Sequence, residues 1–200
     1  AIAVLEEKLA TLPHSAAGLV PLSDHPPMQR KQVTILFVAL EGFTRLAAAA
    51  GNTERLQHID LLWRQLDETI HAYGGIIDKH MGDVIMGIFG AEISREDDPE
   101  RAVRCALALH ETAAAFLSPA NQKKAVAFTP PTIRIGINTG QVILSHVGTD
   151  SNRTALGDTV NVASRLKEAG AESGIYISHE TYGLLRNKFE VESLGDVAVR

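Results

Sequence analysis

An acidic side chain lies between two apolar segments near the middle of the chain. Residues 76–90 are mostly apolar on both sides of Gly82-Asp83, a pattern that predicts a β-hairpin whose turn uses the positive φ that glycine tolerates. A carboxylate on so short a turn has little freedom, as a site for metal or phosphate requires. Because Gly-Asp is also common turn chemistry, a solvated turn residue without function is the alternative interpretation of Asp83.

A second group of polar residues lies in the predicted helix 158–169. Asn161, Arg165 and Glu168 follow one another at steps of four and three residues, so they share one face of this helix. An amide and a guanidinium one turn apart can bind the same anion. A polar helix face without a ligand is the alternative interpretation. The adjoining face is predicted to be apolar and consists of Val162, Leu166 and Ala169.

The elements that must position these residues follow from hydrophobic periodicity and turn signals. Strands are predicted at 33–38 and 174–178, hairpins at 76–90 and 133–147 with Thr139-Gly140 as the second turn, and a last strand or hairpin arm at 189–199. Helices are predicted at 4–9, 45–50, 56–70, 98–114, 158–169 and 179–186. This order favours an α+β fold with a ferredoxin-like βαββαβ core, a mostly antiparallel sheet and its helices on one face.

Composition indicates an ordinary globular protein. The chain has 200 residues, 45% hydrophobic and 22% charged, and a formal net charge of -5, without the dense basic cluster that a nucleic-acid surface would show. No apolar run approaches the roughly 18 residues of a membrane span, so we expect no membrane contact by this segment. The single cysteine, Cys105, cannot form an internal disulfide, which favours a reducing, cytoplasmic setting.

Two segments divide the chain. Residues 1–30 combine the short helix with Pro21, Pro26 and Pro27, a composition typical of a linker. Residues 31–200 form the predicted globular domain. Because the last predicted strand runs almost to Arg200, we expect this domain to be C-terminally incomplete.

Four segments together carry a resemblance to a known family: residues 33–44, 79–89, 134–140 and 156–165, the last with the sequence LGDTVNVASR. In this order they resemble the catalytic domain of the class III nucleotidyl cyclases, the adenylyl and guanylyl cyclases, and the lead at 30–32 is most similar to bacterial members. The resemblance implies an adenylyl cyclase that converts ATP to cyclic AMP and pyrophosphate. It also implies sites in the interface of a head-to-tail homodimer, or of a pseudo-heterodimer with a second cyclase domain.

The resemblance further implies a metal site. Members of the family hold two metal ions, Mg²⁺ or Mn²⁺, with two aspartates and a backbone carbonyl, to activate the ribose 3′-hydroxyl and neutralise the triphosphate. Asp83 matches one aspartate and Leu40 the carbonyl position. The other aspartate position is Ala39, so catalysis is expected to be impaired. Glu41 lies nearby, but alternation along a strand does not by itself put its side chain in the missing place.

Base and phosphate recognition follow from the same resemblance. Lys79 matches the base-reading position, which is lysine in adenylyl members, and Thr154 matches its partner, so adenine is the expected base. Asn161 and Arg165 match the residues that orient the ribose and stabilise charge developing on the phosphate. The residues that would receive the terminal phosphates on backbone N–H groups are Gly42, Phe43 and Thr44. A further phosphate-binding lysine would follow Arg200.

Ala39 leaves three interpretations open. The domain is an active adenylyl cyclase in which another ligand or an intact partner chain replaces the aspartate, or it is a nucleotide-binding regulatory module that has lost turnover. The third interpretation is an otherwise intact enzyme in which Ala39 was introduced deliberately. The sequence of the full-length gene at this position separates the third from the other two.

Overall fold

The structure is a computed structural model that describes residues 29–42, 53–116, 132–146, 153–170 and 173–196. The helices predicted at 4–9 and 45–50, and the proline-bearing linker, lie outside these ranges. Within them, no helix combines the length and the apolar character needed to cross a membrane.

The described strands are β1 Gln29–Glu41, β2 Ile76–Met81, β3 Val84–Phe89, β4 Thr132–His146, β5 Arg153–Leu156 and β6 Gly174–Ile177. They form one six-stranded sheet in the order β2-β3-β1-β4-β5, with β6 beside β4. The pair of β4 and β6 is parallel, and the other pairs are antiparallel. The mostly antiparallel α+β fold predicted from the sequence is confirmed.

The described helices are α1 Thr53–Ala72, α2 Asp98–Phe116, α3 Asp158–Ala169 and α4 His179–Leu184. In α1, Ile59, Leu62, Leu66 and Ile70 are buried at steps of three and four residues, so they form one apolar stripe against the sheet. The helix ends where Gly74 takes a φ of 80° and the N–H of Gly75 donates to the carbonyl of Ile70 at 2.9 Å.

The helices pack on both faces of the sheet. Leu36 and Val38 of β1 belong to a core shared with α1 and α2. The alternate residues Ile35 and Phe37 belong to a second core, which contains Ala163 of α3. The predicted arrangement with all helices on one face is therefore wrong.

Two glycines of β4 explain why α3 can occupy the second face. A Cβ built on Gly136 would lie 2.2 Å from the carbonyl oxygen of Ala163, and a Cβ built on Gly140 would lie 2.7 Å from Oγ1 of Thr159. The bare backbone of β4 therefore admits α3 at a distance that a side chain would forbid.

β4 is a continuous strand of 15 residues where the sequence predicted a hairpin, and that prediction is wrong. Thr139 and Gly140 pair with Thr34 and Val33 of β1 in unbroken register. The missing side chain of Gly140 allows α3 to pack closely on the strand. The buried hydroxyl of Thr139 forms hydrogen bonds with the hydroxyls of Thr34 at 3.0 Å and Thr181 at 3.1 Å. β4 instead forms its hairpin with β5, a segment to which the sequence assigned no strand.

The described part of the C-terminal segment contains no strand. Phe189 packs against the core of α1 and α2, whereas residues 190–196 are exposed. Among the described residues no strand pairs with this segment, and the N–H of Gly195 donates locally to Oγ of Ser193 at 3.4 Å. The strand predicted at 189–199 is therefore wrong over 189–196, and its last residues lie outside the described ranges.

Candidate active site

Asp83 occupies the turn between β2 and β3, as predicted. Gly82 in that turn has a φ of 64°, a conformation that favours glycine. The N–H of Leu40 donates to the carbonyl of Asp83 at 3.0 Å, and Ala39 pairs with Val84 across β1 and β3. These contacts fix the hairpin tip beside the end of β1, which confirms the predicted proximity of Asp83 and Ala39.

The carboxylate of Glu41 is engaged elsewhere and does not stand in for the missing aspartate. Arg134, which lies directly opposite Ala39 on β4, forms an ion pair with Glu41. Thr132 donates to the same carboxylate at 3.4 Å, and the Arg134 guanidinium also donates to the carbonyl of Gly170 at 2.8 Å. Because Arg134 neutralises it, Glu41 is not a free ligand for a cation.

The donors at the hairpin tip fit a metal ion in part. Within the described residues, no group of three or more His, Cys, Asp or Glu side chains could hold an ion. The carboxylate of Asp83 and the backbone carbonyl of Leu40 are ligands of the type that Mg²⁺ and Mn²⁺ prefer. Since Mg²⁺ commonly completes its coordination with substrate phosphates and water, this donor set fits an ion that arrives with a nucleotide rather than one held by protein alone.

A polar contact joins the two edge strands of the sheet. Nζ of Lys79 on β2 donates to Oγ1 of Thr154 on β5 at 2.8 Å, although β2 and β5 stand at opposite ends of the strand order. The sheet must curl for its edges to meet in this way. The two residues that the resemblance assigns to base recognition, 75 positions apart, therefore lie side by side.

Asp78 completes this cluster and was missed by the sequence analysis. Oγ1 of Thr154 donates to Oδ2 of Asp78 at 2.8 Å, and Nζ of Lys79 lies 3.1 Å from the same oxygen. A register shift between Ile77 and Lys79 marks a β-bulge at Asp78, which lets neighbouring side chains meet that strict alternation would put on opposite faces. The available sequence signal was an acidic residue in the first strand of the predicted hairpin.

The cluster is buried on one side and open on the other. The side chain of Asp78 is 1% exposed, and that of Lys79 is 40% exposed. Oδ1 of Asp78 is buried and has no hydrogen-bond partner in the described part of the chain. The ammonium of Lys79 therefore pairs with the buried carboxylate of Asp78 and is itself exposed to a ligand.

α3 presents Asn161 and Arg165 on its exposed side, one turn apart. The residues buried on its other side are Thr159, Ala163 and Lys167. The apolar residues of the adjoining face are not the buried ones, because Val162 and Leu166 are only half-buried and Ala169 is exposed. Close approach to the glycines of β4, rather than side-chain hydrophobicity, selects the buried side of this helix.

Two hydrogen bonds to β4 fix the start of α3. Nδ2 of the buried Asn138 donates to the carbonyl of Thr159 at 2.9 Å, and Oγ1 of Thr159 donates to the carbonyl of Gln141 at 2.7 Å. The outward-facing Asn161 and Arg165 thus stand on a helix whose first turn is held to the sheet.

Of the three residues predicted to receive phosphate, only Gly42 is described. It follows directly after β1 and has a φ of 85°, which is consistent with the predicted turn. Phe43 and Thr44 lie outside the described residues.

Comparison with known proteins identifies the family. Residues 26–200 match the family model of the adenylate and guanylate cyclase catalytic domain. The chain belongs to this family. This cyclase domain is similar to the crystal structure of the adenylyl cyclase CyaB from P. aeruginosa, with a TM-score of 0.80, 30% sequence identity and coverage of 86% of this chain and 89% of that chain.

Relatives of both types are similar to this cyclase domain in sequence. Adenylate cyclase 1 of Rhizobium meliloti is 31% identical over 147 residues, which cover 72% of this chain and 22% of that protein. Guanylate cyclase soluble subunit beta-2 of Rattus norvegicus is 30% identical over 169 residues, which cover 84% of this chain and 24% of that protein. The cyclase domain thus spans about a quarter of the length of these relatives. Because the relatives include both adenylate and guanylate cyclases, the choice of base must be argued from the site.

Proposed function

We propose that this domain is an adenylyl cyclase that converts ATP to cyclic AMP and pyrophosphate. The observation that carries the proposal is the contact of 2.8 Å between Nζ of Lys79 and Oγ1 of Thr154. An ammonium donor beside a hydroxyl acceptor complements the edge of adenine, where a ring acceptor adjoins an exocyclic amine.

The proposed site is shared by two chains in a head-to-tail arrangement, as a homodimer or as a pseudo-heterodimer with a second cyclase domain. Lys79 and Asp83 of one subunit face Asn161 and Arg165 of the other. The outward position of Asn161 and Arg165 on α3 supports this, because exposed side chains on a fixed helix can reach a nucleotide bound to a partner. Asn161 orients the ribose, and the Arg165 guanidinium stabilises charge that develops on the α-phosphate during displacement of pyrophosphate.

Asp83 and the backbone carbonyl of Leu40 are the proposed ligands for Mg²⁺ or Mn²⁺, which when bound would assist deprotonation of the 3′-hydroxyl and neutralise the triphosphate. Gly42, with Phe43 and Thr44 beyond the described residues, would receive the terminal phosphates on backbone N–H groups. These contacts bind and orient ATP without the carboxylate that Ala39 lacks. We therefore propose a domain that binds ATP well and turns it over poorly.

The second candidate function is a catalytically silent, nucleotide-binding regulatory module. It is favoured by the surroundings of Ala39, which is 7% exposed and whose nearest acidic neighbour along β1, Glu41, is paired with Arg134. With Glu41 engaged, a ligand that rescues the site would have to come from elsewhere, such as an intact partner chain.

The decisive experiment compares the unmodified chain with Ala39→Asp, using cyclic AMP formation from ATP in the presence of Mn²⁺. If the rest of the site is competent, the aspartate should raise turnover by orders of magnitude, at roughly 1.4 kcal/mol of barrier for each tenfold. The specific activity should fall on dilution, since the site needs two chains. Ala114→Asp, a change at an exposed position of α2, is the matched control and should have no effect.

Each result of this comparison selects one function. Strong activity of Ala39→Asp alone supports an impaired adenylyl cyclase. High activity of the unmodified chain would show that another group supplies the missing ligand. Silence of both proteins while ATP still binds would favour the regulatory module.

A further inference from the structure

The geometry points to Asp78 as a specificity-determining residue that makes the site select adenine over guanine. The inference rests on the proposed function and deepens it, since it concerns how the same site distinguishes the two bases. Asp78 acts as a positioning residue, because it fixes whether the hydroxyl of Thr154 donates to a bound base or accepts from it.

A threonine hydroxyl has one proton and two acceptor lone pairs, so by itself it can either donate to a base or accept from it. Here Oγ1 of Thr154 donates to Oδ2 of Asp78 at 2.8 Å, because an ionised carboxylate offers only acceptors. One lone pair of Thr154 receives an N–H of Lys79 at 2.8 Å. The hydroxyl therefore has only an acceptor left for a ligand.

Asp78 also orients the ammonium of Lys79. Nζ lies 3.1 Å from Oδ2 of Asp78 and 2.8 Å from Oγ1 of Thr154. An ammonium has three N–H donors, so beside its hydrogen bond to Thr154 and its ion pair with Asp78 it keeps a donor for a ligand. The cluster thus presents a donor next to a single acceptor.

Adenine matches this pattern and guanine inverts it. Adenine offers the acceptor N1 beside the donor amine on C6, whereas guanine offers N1–H and the acceptor O6 at the same positions. If the hydroxyl of Thr154 could turn, it would donate to O6 and remove half of the mismatch. Because Asp78 accepts the hydroxyl proton, Thr154 cannot donate to O6, and both positions of guanine stay mismatched.

Fold stability does not account for Asp78. Its side chain is 1% exposed, and its buried Oδ1 lacks a hydrogen-bond partner within the described residues, an arrangement that costs free energy. The β-bulge that places it interrupts the ladder of β2 and β3. Local irregularities of this kind collect at functional sites.

The test measures the binding of non-hydrolysable ATP and GTP analogues to the whole chain with Mg²⁺ by calorimetry, for the unmodified protein and Asp78→Asn. An amide can donate as well as accept, so it no longer compels the hydroxyl to donate. The preference for the ATP analogue should therefore fall by about tenfold, the scale of one hydrogen bond gained or lost. Asp60→Asn, which changes an exposed acid paired with Arg64 on α1, is the matched control and should leave the preference unchanged.

A second variant makes the test independent of the folding of the first. Thr154→Val removes the hydroxyl, so it should lower the preference by a similar factor, and adding Asp78→Asn to it should change the preference no further. If Thr154→Val keeps the full preference, or if Asp78→Asn weakens both analogues equally while lowering the unfolding temperature, Asp78 is a structural residue and the inference is overturned.

The outcomes separate this inference from the proposed function. An unmodified chain that prefers the GTP analogue, or that binds neither, refutes the proposed adenylyl cyclase and the role of Asp78 with it. An unmodified chain that prefers the ATP analogue, with the same ratio in Asp78→Asn, overturns the role of Asp78 alone.

Discussion

Replacing Gly136 with alanine tests whether close packing of α3 on β4 positions the exposed side chains of Asn161 and Arg165 on that helix. The new Cβ would lie 2.2 Å from the carbonyl oxygen of Ala163 and 2.6 Å from the backbone nitrogen of Lys167. Both atoms belong to the backbone of α3, so no side chain can rotate out of the way. Ordinary contact begins at 3.4 Å, and α3 must therefore move outward by about 1 Å or the strand must bend.

We expect Gly136→Ala to lower the free energy of unfolding by about 1–3 kcal/mol, the usual cost of overpacking a well-packed core. The displacement should also reach Asn161 and Arg165. In the Ala39→Asp background, cyclic AMP formation should fall by as much as about a hundredfold, because a 1 Å misplacement of a catalytic group can cost that much.

Urea unfolding followed by circular dichroism measures the first effect through the midpoint at constant m-value. Gly183→Ala is the matched control, since a Cβ there meets nothing within 4 Å and an alanine within α4 should add about 0.5–1 kcal/mol. An unchanged or raised midpoint for Gly136→Ala would refute the argument that the bare backbone at this position is needed for α3 to dock.

Two further predictions concern the base and the cysteine. Lys79→Glu combined with Thr154→Ala should weaken binding of an ATP analogue and favour a GTP analogue in competition experiments, because the donor and acceptor at the purine edge are inverted. An undiminished preference for ATP would contradict the role of Lys79. Burial raises the pKa of the Cys105 thiol to about 12. At pH 8 the folded chain should therefore react with a thiol reagent on the order of a thousandfold more slowly than the unfolded chain, and rapid labelling of the folded chain would contradict this burial.

Local patterns in the sequence were sufficient for the elements whose signals lie within a few neighbouring residues. The apolar stripe of α1 and the glycine turn before Asp83 follow from periodicity and from the φ that glycine allows. The segments that resemble the cyclases indicated the residues of the candidate site, because that resemblance compares residue types at matched positions. It could not indicate Asp78, whose proposed role depends on a bulge and on a partner in another strand.

The glycines of β4 mark the limit of such patterns. Thr139-Gly140 has the composition of a turn, but in the fold Gly140 makes room for Thr159 of α3, so the strand continues through it. The same packing turned Lys167 inward and left Val162 only half-buried, against the hydrophobic pattern of the helix. A sequence pattern describes what a residue prefers, whereas the space beside it is set by elements far away in the chain.

The cluster of Asp78, Lys79 and Thr154 was decided by tertiary structure alone. Its members lie on the two edge strands of the sheet, and only the curl of the sheet brings those edges together. The sequence by itself determined that a lysine and a threonine were available for a base. Which hydrogen bond each of them can still offer depends on Asp78. A hydroxyl can donate or accept, and it is left as an acceptor only when another group fixes its proton.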